Sequence, residues 1–129
     1  MTRGIDALFA PHERALGVLD RRLALLGSNL ANADTPGYKA RDLDFRAALE
    51  TATASAPMAR THGGHLATGS AAGEPDVLYR VPLAPSLDGN TVDTHQEKAA
   101  FAEAAVRYES TLTFLSRRIS GLKTVLRGE

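Results

Sequence analysis

From Phe101 to Leu126 one row of residues constrains the fold more than any other feature. Phe101, Ala105, Tyr108, Leu112, Leu115, Ile119, Leu122 and Leu126 recur at spacings of 4, 3, 4, 3, 4, 3 and 4. Such a row lies on one face of an α-helix and has no counterpart in the period-two pattern of a strand. Heptad spacing is the seam of a coiled coil, and an apolar seam has to be covered. Upstream, Thr94-His95-Gln96-Glu97 fits a capping box, with Thr94 as N-cap and Glu97 reaching back from the third helical position. Gly128 follows the last apolar residue, where a terminating glycine belongs. The spacing predicts a helix from Thr94 to about Leu126, roughly 48 Å long.

A second row precedes it. Leu16, Leu19, Leu23, Leu26 and Leu30 follow at spacings of 3, 4, 3 and 4, with Phe9 one heptad earlier and Val18 and Leu25 widening the face. Pro11 suits the first turn of a helix, and Glu13 suits the positive end of its dipole. A helix from Pro11 to about Asn32 is predicted, roughly 33 Å long. Met1 to Ala10 stays open: Ile5, Leu8 and Phe9 suit either an extension of the helix or a segment that folds only on a partner.

The simplest fold pairs the two helices. The second would outrun the first by roughly 15 Å, leaving Ile119, Leu122 or Leu126 partly uncovered unless another molecule covers them. The plainer alternative is a two- or three-helix bundle with both stripes wholly internal.

Between the helices the signals change. Asn32-Ala33-Asp34-Thr35-Pro36-Gly37 breaks the first helix, and Pro36 and Gly37 fill the central positions of a type II turn. Tyr38 to Phe45 reads as extended, and Phe45 to Glu50 as one or two helical turns. Thr51 to Pro75 is rich in Ala, Ser, Thr and Gly and reads as a flexible loop. Val77, Tyr79 and Val81 alternate as in a short strand, and Asp88-Gly89-Asn90 marks a turn. The expected fold class is mainly α: long N- and C-terminal helices pairing as a coiled coil, joined by a partly extended, flexible middle segment. The boundaries fall at 1–32, 33–93 and 94–129.

Composition excludes several functions. The 15 basic and 15 acidic side chains cancel, which argues against nucleic acid as a partner and favours self-association over repulsion. The absence of cysteine removes disulfides and thiolate metal sites. No apolar run approaches the ~20 residues of a membrane span. Met1 to Arg22, interrupted by Asp6, Pro11, His12 and Glu13, has no apolar stretch for a cleavable signal peptide.

Catalytic and metal chemistry find little support. His62 and His65, with His12 or His95 as a third ligand, lack a nearby acidic residue. Ser110, Ser116 and Ser120 have no nucleophile-elbow context. Gly63-Gly64 is not followed by the Lys-Ser/Thr of a phosphate loop. Asp42 and Asp44 are expected to be solvated, as are Arg117 and Arg118, which also suit pairing with acidic groups on a neighbour. The expectation is a protein that is not an enzyme and takes no cofactor.

The segment Ser28-Asn29-Leu30-Ala31-Asn32-Ala33-Asp34-Thr35-Pro36-Gly37-Tyr38-Lys39-Ala40-Arg41-Asp42-Leu43-Asp44-Phe45 closely resembles the N-terminal signature of the flagellar rod and hook axial proteins. Its continuation after the turn, and Asp88 to Asp93 before a long helix, look like the proximal-rod members of that family. The resemblance spans both ends and leaves out only Thr51 to Pro75. It implies a structural subunit of the basal-body rod, needed for flagellum assembly and motility. Such subunits pass unfolded through the flagellar type III export apparatus and stack helically in the periplasmic rod. Their terminal helices form the inner coiled-coil core. The implied partners are other copies, other rod subunits, and the export-gate and basal-ring proteins at the rod base.

Physical chemistry assigns roles within the signature. Asn29 and Asn32 close the first helix, where their amides suit free carbonyls or a neighbour's backbone. Thr35, Pro36 and Gly37 set the reversal, and Tyr38 offers an amphipathic ring suited to an interface. The plainer alternative is that they only terminate the helix. A second function class fits the same stripes: a soluble helical adaptor or export chaperone that binds one partner helix.

Overall fold

The structure, a computed structural model, describes residues 3–54 and 76–128. In chain order it contains α1 (Arg3–Ala31), β1 (Arg41–Leu43), α2 (Phe45–Ala54), β2 (Val77–Tyr79) and α3 (Thr94–Arg127). The loop expected over Thr51 to Pro75 begins later, because α2 continues to Ala54; residues 55–75 lie outside the described residues.

α1 and α3 form an antiparallel hairpin. His12 lies opposite Arg118, Nε2 to Nη1 3.5 Å, and Gly27 opposite Phe101, whose Cε2 stands 4.0 Å from where a Cβ on Gly27 would sit. Asn29 meets Glu97. Leu19 and Leu26, spaced seven apart on α1, are buried almost completely, and Ala104 is buried on α3.

The first helix begins earlier than Pro11. Pro11 lies inside α1, where its ring removes one hydrogen bond to the residue four positions back and normally disfavours a helix. Here helix continues on both sides, and the residues before Pro11 extend toward the far end of α3. With 29 residues against 34, the helices differ by roughly 7 Å at 1.5 Å per residue. This is about half the predicted mismatch.

α1 serves two layers. Leu19 and Leu26 belong to the hairpin, whereas Val18 belongs to a second cluster with Leu43 and Ala48, against which Leu25 and Phe45 pack. That cluster seats β1 and α2 on α1. Asp44 caps α2 by accepting from the Arg46 and Ala47 amides, 3.0 and 3.1 Å. Arg107 of α3 lies 5.9 Å over the Phe45 ring and ties α2 to α3.

β1 and β2 pair antiparallel, with Arg41 opposite Tyr79, Asp42 opposite Leu78 and Leu43 opposite Val77. The chain reaches β1 through the turn the sequence predicts. The Tyr38 amide donates to the Thr35 carbonyl at 3.3 Å, and Gly37 sits at φ +72°, a region open to glycine at no steric cost.

The α3 cap differs from the predicted box. Asp93 is the N-cap, with φ −99° and ψ 107°, and accepts from the His95 and Gln96 amides at 2.9 and 3.2 Å. A carboxylate one residue earlier displaces Thr94, and Glu97 is turned inward to a different task. Gly128 closes the helix at φ 75°, as expected.

Candidate assembly surface

The signature residues gather beside the hairpin's closed end. Asn29 is fully buried. Its amide nitrogen donates to the Arg41 carbonyl at 2.7 Å and to Glu97 Oε2 at 3.1 Å. Its oxygen accepts from the Arg41 amide at 3.0 Å and from the Tyr38 hydroxyl at 3.4 Å. One side chain therefore copies a strand partner for residue 41 while bridging to α3. The Tyr38 hydroxyl also lies 3.2 Å from Ser28 Oγ.

Asn32 donates to the Ser28 carbonyl at 2.8 Å, just past the last residue of α1. The main closure comes from Asn90, far along the chain. Its amide nitrogen lies 3.1, 2.7 and 3.0 Å from the Asn32, Ala33 and Thr35 carbonyls. Two N–H bonds thus serve three acceptors. The sequence marks Asn90 as part of a turn but does not reveal this use. The Gly37 amide donates to the Asp88 carbonyl at 2.9 Å, the Thr91 amide to the Tyr38 carbonyl at 3.0 Å, and the Arg80 amide to the Ala40 carbonyl at 2.9 Å. Residues 37–41 are clamped from both sides.

A chain of alternating charge completes this centre, and no sequence signal announces it. Arg22 meets Asp42 through two bonds of 2.9 and 3.1 Å. Arg80 donates at 2.6 Å to Asp42 Oδ2, the oxygen that Arg22 Nη2 also meets, and places Nη1 2.8 Å from Glu97 Oε1. Glu97 is fully buried. Its Oε1 contact is close but poorly directed as a hydrogen bond, so the attraction is chiefly ionic. Asp42, expected to be solvated, is instead half-buried between two guanidinium groups. Burial opposes its charge, yet hydrogen bonds from Arg22, the Leu43 amide and Arg80 outweigh it and hold the carboxyl below its ordinary value. Asp44 is exposed as expected, but serves as the α2 cap.

The heptad stripe of α3 divides in two. Tyr108, Leu115 and Leu122 are half-buried, on the side of the buried Glu97 and Ala104. Phe101, Leu112, Ile119 and Leu126 lie on the flank and keep 40, 43, 37 and 84% of their surface exposed. Within the stripe, α1 covers one row and leaves the other partly exposed. On α1, Leu19 and Leu26 are buried, while Leu16, Leu23 and Leu30 are half-buried. Thr35, Pro36 and Gly37 are exposed and shape the turn.

Of the other candidates, His62 and His65 lie outside the described residues. Among the described residues no His, Cys, Asp and Glu side chains group to hold a metal. None of the described helices is long and apolar enough to cross a membrane.

The stretch containing most of α1 and the following turn, residues 12–39, matches the family model described as flagella basal body rod protein. Similarity extends over nearly the whole chain. It is 48% identical over 118 residues to the flagellar basal body rod protein FlgB of Cereibacter sphaeroides, covering 92% of each chain. It is 44% identical to the Aeromonas hydrophila protein of that name, covering 100% of this chain and 99% of the relative. For the Salmonella typhimurium protein the identity is 39%, with 96% of each covered. The chain belongs to the FlgB family of flagellar basal body rod proteins. Its role is structural, in the rod of the basal body, and not enzymatic.

Proposed function

We propose that this chain polymerises into the proximal rod through its terminal helices, joining other copies and other rod subunits, and is required for flagellum assembly and motility. The open row of α3 carries this reading. Phe101, Leu112, Ile119 and Leu126 have the heptad geometry of a coiled-coil seam that their own chain covers only in part. Burying an apolar side chain of this size stabilises by about 1.5–3 kcal/mol, so the row favours contact with further helices. The charge network fixes the hairpin, so each copy presents the row in one geometry.

At the rod base the subunit meets the export-gate and basal-ring proteins.

The test compares two substitutions. Ile119→Asp alters the open row and should leave the monomer folded while stopping rod assembly and swimming. Leu115→Asp alters the covered row and should unfold the hairpin. Normal rods from the Ile119→Asp variant would refute the reading.

A further inference from the structure

A second unpartnered apolar surface lies at the opposite end of the hairpin. After β2 the chain runs as an irregular arm over residues 80–93, bent at Leu83 and Ala84 and turning at Leu87 and Asp88, and is held by the Asn90 bonds to the α1 terminus. Pro82 and Pro85 fix φ at two points of the arm. Val81, Leu83 and Leu87 are almost fully exposed, with Leu83 at 81%. A concavity of about 350 Å³ opens between the arm and the first turn of α3, lined by apolar Leu83, Pro85 and Val92 and by polar Asn90, Thr91 and Gln96 alike.

The far end of α3 is also bare. Val125 and Leu126 are exposed there, Val125 at 77%. From Thr94 to Leu126 the helix rises roughly 48 Å, so this end cannot meet the arm of its own chain.

Charge separates the two surfaces. From Thr111 to Gly128 the sequence carries Arg117, Arg118, Lys123 and Arg127 and no acidic residue, with Glu129 following. Glu13 and Arg14 on the facing part of α1 offset each other. The arm carries exposed Asp88 and Asp93, with Asp76 before β2. Its Arg80 is committed to Asp42 and Glu97, while Lys39, bonded to the Gly89 carbonyl at 2.7 Å, offsets one of the three carboxylates and leaves the arm acidic by two.

We infer that the arm of one copy receives the basic, apolar C-terminal end of α3 from the next copy. This deepens the polymerising reading and rests on it. Two different patches at opposite ends make a heterologous contact, which extends as an open helical array when the rotation does not close. The acidic arm and basic helix end orient the approach, and the concavity beneath the arm seats apolar side chains from the incoming helix.

Because the chain has no cysteine, an introduced pair reports cleanly. Leu83→Cys, Val125→Cys and the double variant replace the native chain, and isolated basal bodies are treated with a mild oxidant. The double variant should yield a ladder of dimers and higher multimers, a mixture of the single variants dimers only, and each single variant little product. Adding Lys123→Glu and Arg127→Glu to the double variant should lower the yield at least fivefold. Normal rods without the ladder would overturn this contact while leaving polymerisation intact. Equal cross-linking by Leu83→Cys alone would replace it with a symmetric contact, and a product with a different polypeptide would assign the arm to another partner. If a variant enters no rods, the purified full chain at high concentration decides by the same products, and no ladder there also overturns the contact.

Discussion

Arg80 offers the sharpest test of how the hairpin is held. Arg80→Ala leaves Asp42 with Arg22 but leaves Glu97 fully buried with only the Asn29 amide. Removing one partner of a buried pair costs about 3–5 kcal/mol, because the remaining charge is uncompensated. The Arg80–Glu97 contact is poorly directed and Glu97 keeps one donor, so the lower end applies, about 3 kcal/mol. Domains have about 5–15 kcal/mol of stability in all. At roughly 3–5 °C per kcal/mol for a chain of this size, the midpoint should fall by roughly 10–15 °C. Urea and thermal unfolding followed by circular dichroism measure both quantities. Adding Glu97→Gln removes the stranded charge and should recover at least a third of the loss. A variant Arg80→Ala within about 0.5 kcal/mol of the native chain, or no recovery in the double variant, would refute the ionic account of the centre.

Other consequences are open to direct measurement. Because the Asp42 carboxyl titrates below its unfolded value of about 3.9, its stabilisation is complete above that value and is lost as pH falls through the native pKa; Asp42→Asn should lower stability at neutral pH and flatten its acid dependence, as read from urea midpoints between pH 3 and 7. Asp93→Ala should cost about 1 kcal/mol as the loss of an N-cap, whereas Thr94→Ala should stay within about 0.5 kcal/mol; the reverse order in thermal unfolding would restore Thr94 as the cap.

The helices were legible because their evidence is local and repeated. Spacings of three and four require one face, and Pro36-Gly37 requires a reversal, so the long helices, the turn and the short extended pieces follow from neighbouring residues alone. Pro11 misled for a physical reason: proline is favoured in a first turn, but a paired helix can absorb its missing hydrogen bond. Glu97 misled likewise, since its place after Thr94 fits a capping box, and only the fold reveals that Arg80 and Asn29 draw it inward. The centre built from Arg22, Asp42, Arg80 and Glu97 was hidden because its members come from α1, β1, the segment after β2, and α3. Periodicity likewise finds an apolar row but does not say how much of it a single partner helix covers.

The charge centre also orders events in time. Its members lie at positions 22, 42, 80 and 97, and the hairpin joins residues as distant as 12 and 118. Contacts this remote in the chain form late, after the costly closure of long loops. A polypeptide emerging N-terminus first therefore has Leu19 and Leu26 uncovered until its last third is free. For that interval the first helix lacks the cover its own chain later supplies.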